Sequence, residues 1–119
     1  MGKIRALIAN EPRTYREVLV HALRDLRPRV EVDAADPDAL EDEIARLRPH
    51  LVVCSRGRAV VGEGVLTWVM LYPGGENRAE IVTAGGCAML VGLKFDDFLS
   101  IVDGTELLHR FRQGEGLRA

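Results

Sequence analysis

Two kinds of segment alternate in the pattern of hydrophobic and polar positions along the first half of the chain. Short apolar runs of strand length are separated by longer stretches in which apolar residues recur at helical spacing. In chain order the predicted elements are a strand at 3–9, a helix at 13–26, a strand at 30–32, a helix between Asp36 and Pro49, and a strand at 51–54. Because the connections are short, residues 3–55 predict a β-α-β-α-β unit with a parallel sheet.

The first predicted helix has an apolar side and a basic side. Pro12 suits the first helical turn, with Asn10 or Glu11 as the capping residue. We expect the apolar face to be buried, and its members are Tyr15, Val18, Leu19, Ala22, Leu23 and Leu26. Four arginines lie on another side, at Arg13, Arg16, Arg24 and Arg27. They are interpreted either as a solvated face or as a docking ridge for an acidic partner.

The second half of the chain is rich in β-prone residues. The runs 65–72 and 78–84 are separated by the turn residues 73–77. This connection is too short for a parallel crossover, so the two runs predict an antiparallel hairpin. Residues 87–91 either add a short strand or belong to a loop, and residues 94–112 are predicted to be helical.

These elements predict one α/β domain. Its parallel half spans residues 1–55, and a half made of the hairpin and the last helix spans 65–112. The expected strand order is 2-1-3-4-5, with three parallel strands and a sheet that becomes mixed at the hairpin edge. Helices are expected on both faces of the sheet, which gives a three-layer α/β/α arrangement.

Composition and charge exclude several classes of function. The chain is 47% hydrophobic and 29% charged, with a formal net charge of -2, so nucleic acid is not an expected partner. No apolar run approaches the roughly 20 residues that span a bilayer, and the N-terminus lacks the features of a signal peptide, so we expect a cytoplasmic protein. Cys54 and Cys87 are interpreted as reduced core thiols. His21, His50 and His109 are too scattered to indicate a metal site, and no cofactor is expected.

Three segments resemble the receiver domain of response regulators, which is a flavodoxin-like fold. They are 7–12, 16–19 and 47–55. The resemblance covers slightly under half of the chain. It implies that Ser55 stands where receivers carry the phosphoacceptor aspartate, and that Ala9 and Asn10, or Asn10 and Glu11, replace the acidic pair that holds magnesium. The resemblance therefore implies a degenerate receiver that is not phosphorylated.

The crevice beyond the carboxyl ends of the first and third strands is the candidate ligand site. Asn10, Glu11, Ser55 and Arg56 are expected to line it, with Arg58 as a further candidate. A small anion is the ligand that this chemistry favours. The alternative is that these groups are caps and solvated loop charges.

Two enzymatic interpretations are disfavoured by the residues present. The glycine-rich segment 57–64 has Glu63 and Gly64 where a phosphate-binding loop requires Lys and Ser or Thr. Ser55 lacks the flanking glycines of a nucleophile elbow, and His50 lies at the other end of the same strand. No catalytic residue is assigned.

The strand at 65–72 is apolar on both faces, which predicts an interface. Trp68, Met70 and Tyr72 are the candidate interface residues, and we expect a homodimer. The leading functional hypothesis is a non-catalytic receiver-like module that acts through protein–protein interaction in signalling or regulation. The alternative is a sensor of a small anion or other small ligand that uses the crevice near Asn10 and Ser55.

Overall fold

The computed structural model describes residues 3–57, 59–62 and 64–112, which form six strands and three helices. The strands are β1 (Arg5–Ala9), β2 (Glu31–Ala34), β3 (Leu51–Cys54), β4 (Thr67–Leu71), β5 (Arg78–Thr83) and β6 (Gly86–Val91). The helices are α1 (Arg13–Leu26), α2 (Leu40–Leu47) and α3 (Phe95–Arg112). The predicted β-α-β-α-β unit, hairpin and last helix are all present, and the segment at 87–91 is part of a strand.

All six strands belong to one mixed sheet in the order β2-β1-β3-β4-β5-β6. The first four strands are parallel, while β5 is antiparallel to both β4 and β6. The predicted order 2-1-3-4-5 is therefore present and is extended by a sixth strand at the edge. The prediction of three parallel strands was one too few, because β4 pairs parallel with β3, for example at Leu51 and Thr67.

The described residues between β3 and β4, which are 55–57, 59–62 and 64–66, form no helix, although parallel crossovers usually contain one. Gly62 and Val65 form an isolated antiparallel bridge in this segment. Its apolar residues Ala59, Val61 and Val65 pack together with α2 against the sheet. The loop thus covers apolar surface that a crossover helix would otherwise cover.

The core consists of two clusters that take alternate residues from the central strands. The first cluster contains Ile8, Val53 and Val69 together with residues of α1 and α3, of which Leu19, Leu23, Phe98 and Val102 are fully buried. The second contains Leu7, Val52 and Trp68 together with Leu40 of α2. Because successive strand residues point to opposite faces, both faces of the central strands are covered.

Helix α1 buries a face that overlaps only in part with the predicted one, because Leu19 and Leu23 are buried as expected while other positions differ. Val18 is 57% exposed and Leu26 also faces solvent, whereas Val20 and Arg16 are buried. Arginine can bury its long apolar stem while its guanidinium finds a polar partner. Because Arg16 was counted as a surface residue, the predicted face includes the exposed Val18 and Leu26 and omits the buried Arg16 and Val20.

Helix α3 is the longest helix, yet no helix in the described part of the chain has the length and apolar character needed to cross a membrane. Phe98 and Val102 anchor it in the first core cluster. Arg27 at the end of α1 binds the carboxylate of Asp103 at 2.7 Å, which joins the two helices. Thr105 lies deeper, with its hydroxyl oxygen 2.8 Å from that of Thr67 in β4.

Candidate functional site

The structure brings Asn10, Glu11, Ser55 and Arg56 together, as the sequence predicted. Strands β1 and β3 are parallel, and Ala9 pairs with Cys54 at their carboxyl ends. The residues that follow these two positions therefore leave the sheet side by side. Arg58, the further candidate for this crevice, lies outside the described residues, as does Glu63 of the glycine-rich segment.

Ser55 is buried, and its hydroxyl has a structural partner. The backbone N–H of Glu11 donates to the Oγ of Ser55 at 3.0 Å. This bond ties the end of β3 to the turn that leads into α1. The side chain at this position consequently fixes the backbone of the neighbouring loop.

Asn10 is completely buried and crosses from β1 to the end of β4. Its Nδ2 donates to the carbonyl of Leu71 at 3.0 Å. Within the described residues, its Oδ1 has no hydrogen-bond partner. Buried amide oxygens are usually paired, so this atom marks a polar point beneath the crevice.

Neither Asn10 nor Glu11 caps the first helix. Helix α1 begins after Pro12, and no side chain among the described residues caps this end. The side chain of Asn10 is directed to Leu71 instead. The expected cap is therefore wrong, because the buried end of β4 provides Asn10 with an acceptor.

Arg56 bridges two carboxylates at the mouth of the crevice. Its Nε donates to Glu11 at 3.1 Å, and its Nη2 donates to Asp38 at 2.9 Å. The hydrogen bonds that Arg56 donates to Asp38 and Glu11 raise the pKa of Arg56 above its ordinary value. With two carboxylates against one positive charge, the charge of Arg56 is already compensated and the cluster disfavours a further anion.

A groove of about 560 Å³ extends from this cluster along α2. Asp38 and Arg56 form its polar rim, and Leu40, Val60 and Trp68 are among its apolar lining residues. The groove therefore places an apolar wall next to a compensated ion cluster. This chemistry suits a partly apolar ligand better than inorganic phosphate.

The two cysteines differ in their environment. Cys54 is buried in the second core cluster, and burial raises the pKa of its thiol to about 11. It is a core thiol, as predicted. Cys87 is exposed in β6, so the same prediction is wrong for Cys87. The apolar run around Cys87 belongs to an edge strand that none of the helices α1, α2 and α3 covers.

The candidate interface residues are largely used inside the subunit. Trp68 is 3% exposed and packs in the second core cluster, which removes its indole from the surface. Met70 and Tyr72 are half-buried, and the ring of Tyr72 contacts that of Tyr15 with a centroid distance of 5.5 Å. Ala59, Val61 and Val65, together with α2, cover the side of Trp68 that the sequence left uncovered.

The predicted arginine ridge on α1 is divided among intramolecular partners. Arg13 pairs with Glu17, Arg24 donates to the carbonyl of Val32, and Arg27 pairs with Asp103. Arg16 is buried, and its Nη1 donates to the carbonyl of Asn10 at 3.5 Å. These contacts favour local compensation over a free docking ridge.

One polar cluster was missed by the sequence analysis. The rings of His50 and His109 lie 4.3 Å apart between centroids, and the backbone N–H of Arg5 donates to Nδ1 of His50 at 2.9 Å. Burial, followed by the charges of His109 and Arg5, lowers the pKa of His50. No local spacing links residues so distant in sequence, so a pattern search could not pair them. In the described part of the chain, no three His, Cys, Asp or Glu side chains are placed to hold a metal ion.

The chain matches no protein-family model, no curated protein and no solved structure in the comparisons.

Proposed function

We propose that this protein is a non-catalytic, receiver-like module that is not phosphorylated and that acts through protein–protein interaction in signalling or regulation. The observation that carries the proposal is the hydrogen bond from the Glu11 N–H to the Ser55 hydroxyl. The position that corresponds to the phosphoacceptor of a receiver has a side chain committed to holding its own loop. A three-layer α/β/α arrangement is part of the same proposal.

The end of β1 supports this interpretation. Receivers need carboxylates here, because a hard cation prefers several carboxylate oxygens. This chain has a buried amide at Asn10, and Glu11 is engaged by Arg56. A phosphoryl group at Ser55 would lie next to the carboxylate of Glu11 without a counterion of its own.

Exposed apolar surface supports an interaction role. Helix α3 presents Leu107, Leu108 and Phe111 to solvent, and strand β6 is exposed along its whole length. Contiguous apolar surface of this kind often marks a protein-binding region.

Phosphorylation is tested with acetyl phosphate and magnesium, followed by intact-mass measurement. We expect no added phosphoryl group on the wild-type chain. A stable adduct, lost in Ser55→Ala but retained in the surface control Ser100→Ala, would overturn the proposal.

The interaction role is tested by affinity capture with the full chain as bait. We expect that the wild type retains a protein in a stoichiometric amount. At least one of the two variants Leu107→Lys and Met89→Lys should fail to retain it. The variant Val18→Lys is the matched control, because Val18 is an exposed apolar residue on α1, away from both surfaces. Equal retention by all the variants would count against both exposed surfaces as the binding region.

A small-ligand or small-anion sensor is the second candidate function, and the groove beside Arg56, with its apolar wall, favours a partly apolar small ligand over an anion. The test is thermal unfolding with a panel of nucleosides, small aromatic compounds, phosphate and small carboxylates. A ligand at 100 times its Kd stabilises by about 2.7 kcal/mol. A shift that Arg56→Gln removes would favour the sensor, whereas no shift across the panel would support the interaction module.

A further inference from the structure

The two edges of the sheet differ in how they are protected. Strand β2 carries Glu31 and Asp33, and Arg24 donates to the outward carbonyl of Val32 at 3.0 Å. Charges and a covered carbonyl are common means of preventing edge-to-edge pairing. Strand β6, at the opposite edge, has neither charge nor proline, and all six of its residues are exposed.

The backbone of β6 offers a regular set of hydrogen-bonding groups. The Gly92 N–H donates to the Asn77 carbonyl at 3.0 Å, one position beyond the pair formed by Arg78 and Val91. Hydrogen-bonded pairs alternate along an antiparallel ladder, so the even-numbered positions of β6 bond to β5. The N–H and C=O groups of Cys87, Met89 and Val91 therefore point away from the sheet.

Both faces of β6 are apolar at this edge. Ala88 and Leu90 pair with Ile81 and Ala79, whose side chains belong to the first core cluster or pack against it. Cys87, Met89 and Val91 lie on the other face, where Met89 is 59% and Val91 79% exposed. A second strand at this edge would cover apolar side chains on both faces at once.

We propose that β6 pairs antiparallel with β6 of a second copy of this chain, about a two-fold axis at Met89. In this register Cys87 faces Val91 of the second copy, and Ala88 faces Leu90. All three outward N–H groups meet carbonyls, since the outward positions are placed symmetrically about Met89. The pairing gives the proposed interaction function a defined partner and rests on that function.

Charge favours a second copy over a different strand. Residues 86–91 carry no charge, so two-fold pairing brings no like charges together. On the adjacent β5, Arg78 is paired with Glu76 and Glu80 within the same subunit. A charged strand from another protein would find no opposite charge in β6 to pair with.

The association through β6 is expected to be weak, so that monomer and dimer are both present at experimental concentrations. Six residues extend about 20 Å, and two such strands bury less than the roughly 1,600 Å² of a standard interface. Phe95, which is exposed just beyond β6, adds apolar surface at each end. We expect a monomer–dimer equilibrium with a Kd on the order of micromolar.

Sedimentation over a wide range of concentration tests the association. The wild type should approach twice the 13.1 kDa of one chain as concentration rises. Met89→Lys places two lysines opposite each other on the axis and should raise the Kd at least about tenfold. Val18→Lys adds the same charge on α1 and should leave the Kd unchanged. A wild type that stays monomeric, or equal loss in both variants, overturns the pairing.

Disulfide formation tests the register. Facing residues in an antiparallel pair have Cα atoms about 5.5 Å apart, within the range that a disulfide spans. Under mild oxidation, Val91→Cys should therefore form a covalent dimer through Cys87, while the wild type should not. Leu90→Cys, on the opposite face, is the matched control. Cross-linking of the control but not of Val91→Cys overturns the register.

The outcomes separate this inference from the proposed function. A monomeric chain that does not cross-link at Val91→Cys refutes the pairing and leaves a different protein as the partner of the module. A phosphorylated Ser55 refutes the proposed function, whatever the oligomeric state.

Discussion

His50 and His109 form a tilted ring pair, with centroids 4.3 Å apart, that joins the start of β3 to the last turns of α3. The two residues are far apart in sequence but meet where α3 crosses the amino ends of the parallel strands. Arg5 and Glu31 are the neighbouring charges that act on His50, and Arg5 also donates its backbone N–H to this imidazole.

Folding stability should decrease as the pH falls below about 6.5, partly because of His50. Its pKa is lowered by burial, His109 and Arg5, so the unfolded chain binds the proton more readily than the folded chain. The stabilisation is thus complete above the unfolded pKa and is lost towards acidic pH. Urea unfolding at pH 7.5 and pH 5.5 measures it. His50→Gln should reduce the pH dependence, and an equal dependence in wild type and variant would contradict this role of His50.

Ser55→Ala should destabilise the fold by about 1–3 kcal/mol. The substitution leaves the Glu11 N–H without its acceptor in a partly buried setting. Ser100→Ala, on the exposed side of α3, should change the free energy of unfolding by less than about 0.5 kcal/mol. Equal effects in denaturant unfolding would show that the Ser55 hydroxyl does not hold this loop.

Thr105→Val should cost about 1–3 kcal/mol, and Thr67→Val should recover part of that cost in the double variant. The Thr105 hydroxyl donates to the Ile101 carbonyl at 3.0 Å, so Thr67 must donate across the 2.8 Å contact. Removing one partner leaves a buried hydroxyl unpaired, while removing both does not. A double-mutant cycle by urea unfolding measures the coupling. Simple additivity of the two substitutions would contradict this hydrogen bond.

Asn10→Asp should destabilise the protein by about 3 kcal/mol or more at neutral pH. The new carboxylate would be completely buried and would face the Leu71 carbonyl instead of donating to it. Burial raises the pKa of such a group, so its proton returns as the pH falls and the difference from wild type should shrink towards pH 4. Thermal unfolding at the two pH values measures this. A variant equally destabilised at both would argue against a buried charge.

Periodicity and chain-breaking residues were sufficient to predict most elements of this fold. The apolar runs at 3–9 and 51–54 became β1 and β3, and Asp36 caps the turn before α2 by accepting from the Asp38 N–H at 2.9 Å. The four crevice residues were also predictable, since they directly follow parallel strands. Such features depend on neighbours in sequence or on the geometry of parallel sheets.

The errors arose where distant packing decides the outcome. Arg16 is buried with its guanidinium directed to the buried carbonyl of Asn10, which no polarity scale anticipates. Trp68 is buried because Ala59, Val61 and Val65 pack with it, and Cys87 is exposed because no element of the described residues covers β6. The His50–His109 pair likewise depends on where α3 crosses the sheet. To avoid each error, the prediction would have needed to know which surfaces of the fold meet.

The unequal edges of the sheet limit the size of any assembly that strand pairing can build. A chain with two open edges could add subunits without end and grow into a fibre. Here Arg24 occupies the outward carbonyl of Val32, and β2 also carries the charges of Glu31 and Asp33, so among the described edges strand pairing is favoured along β6. Pairing through β6 uses that edge in both copies at once, and the result is a closed two-fold assembly. The guanidinium of Arg24 thus helps to limit the assembly to a dimer.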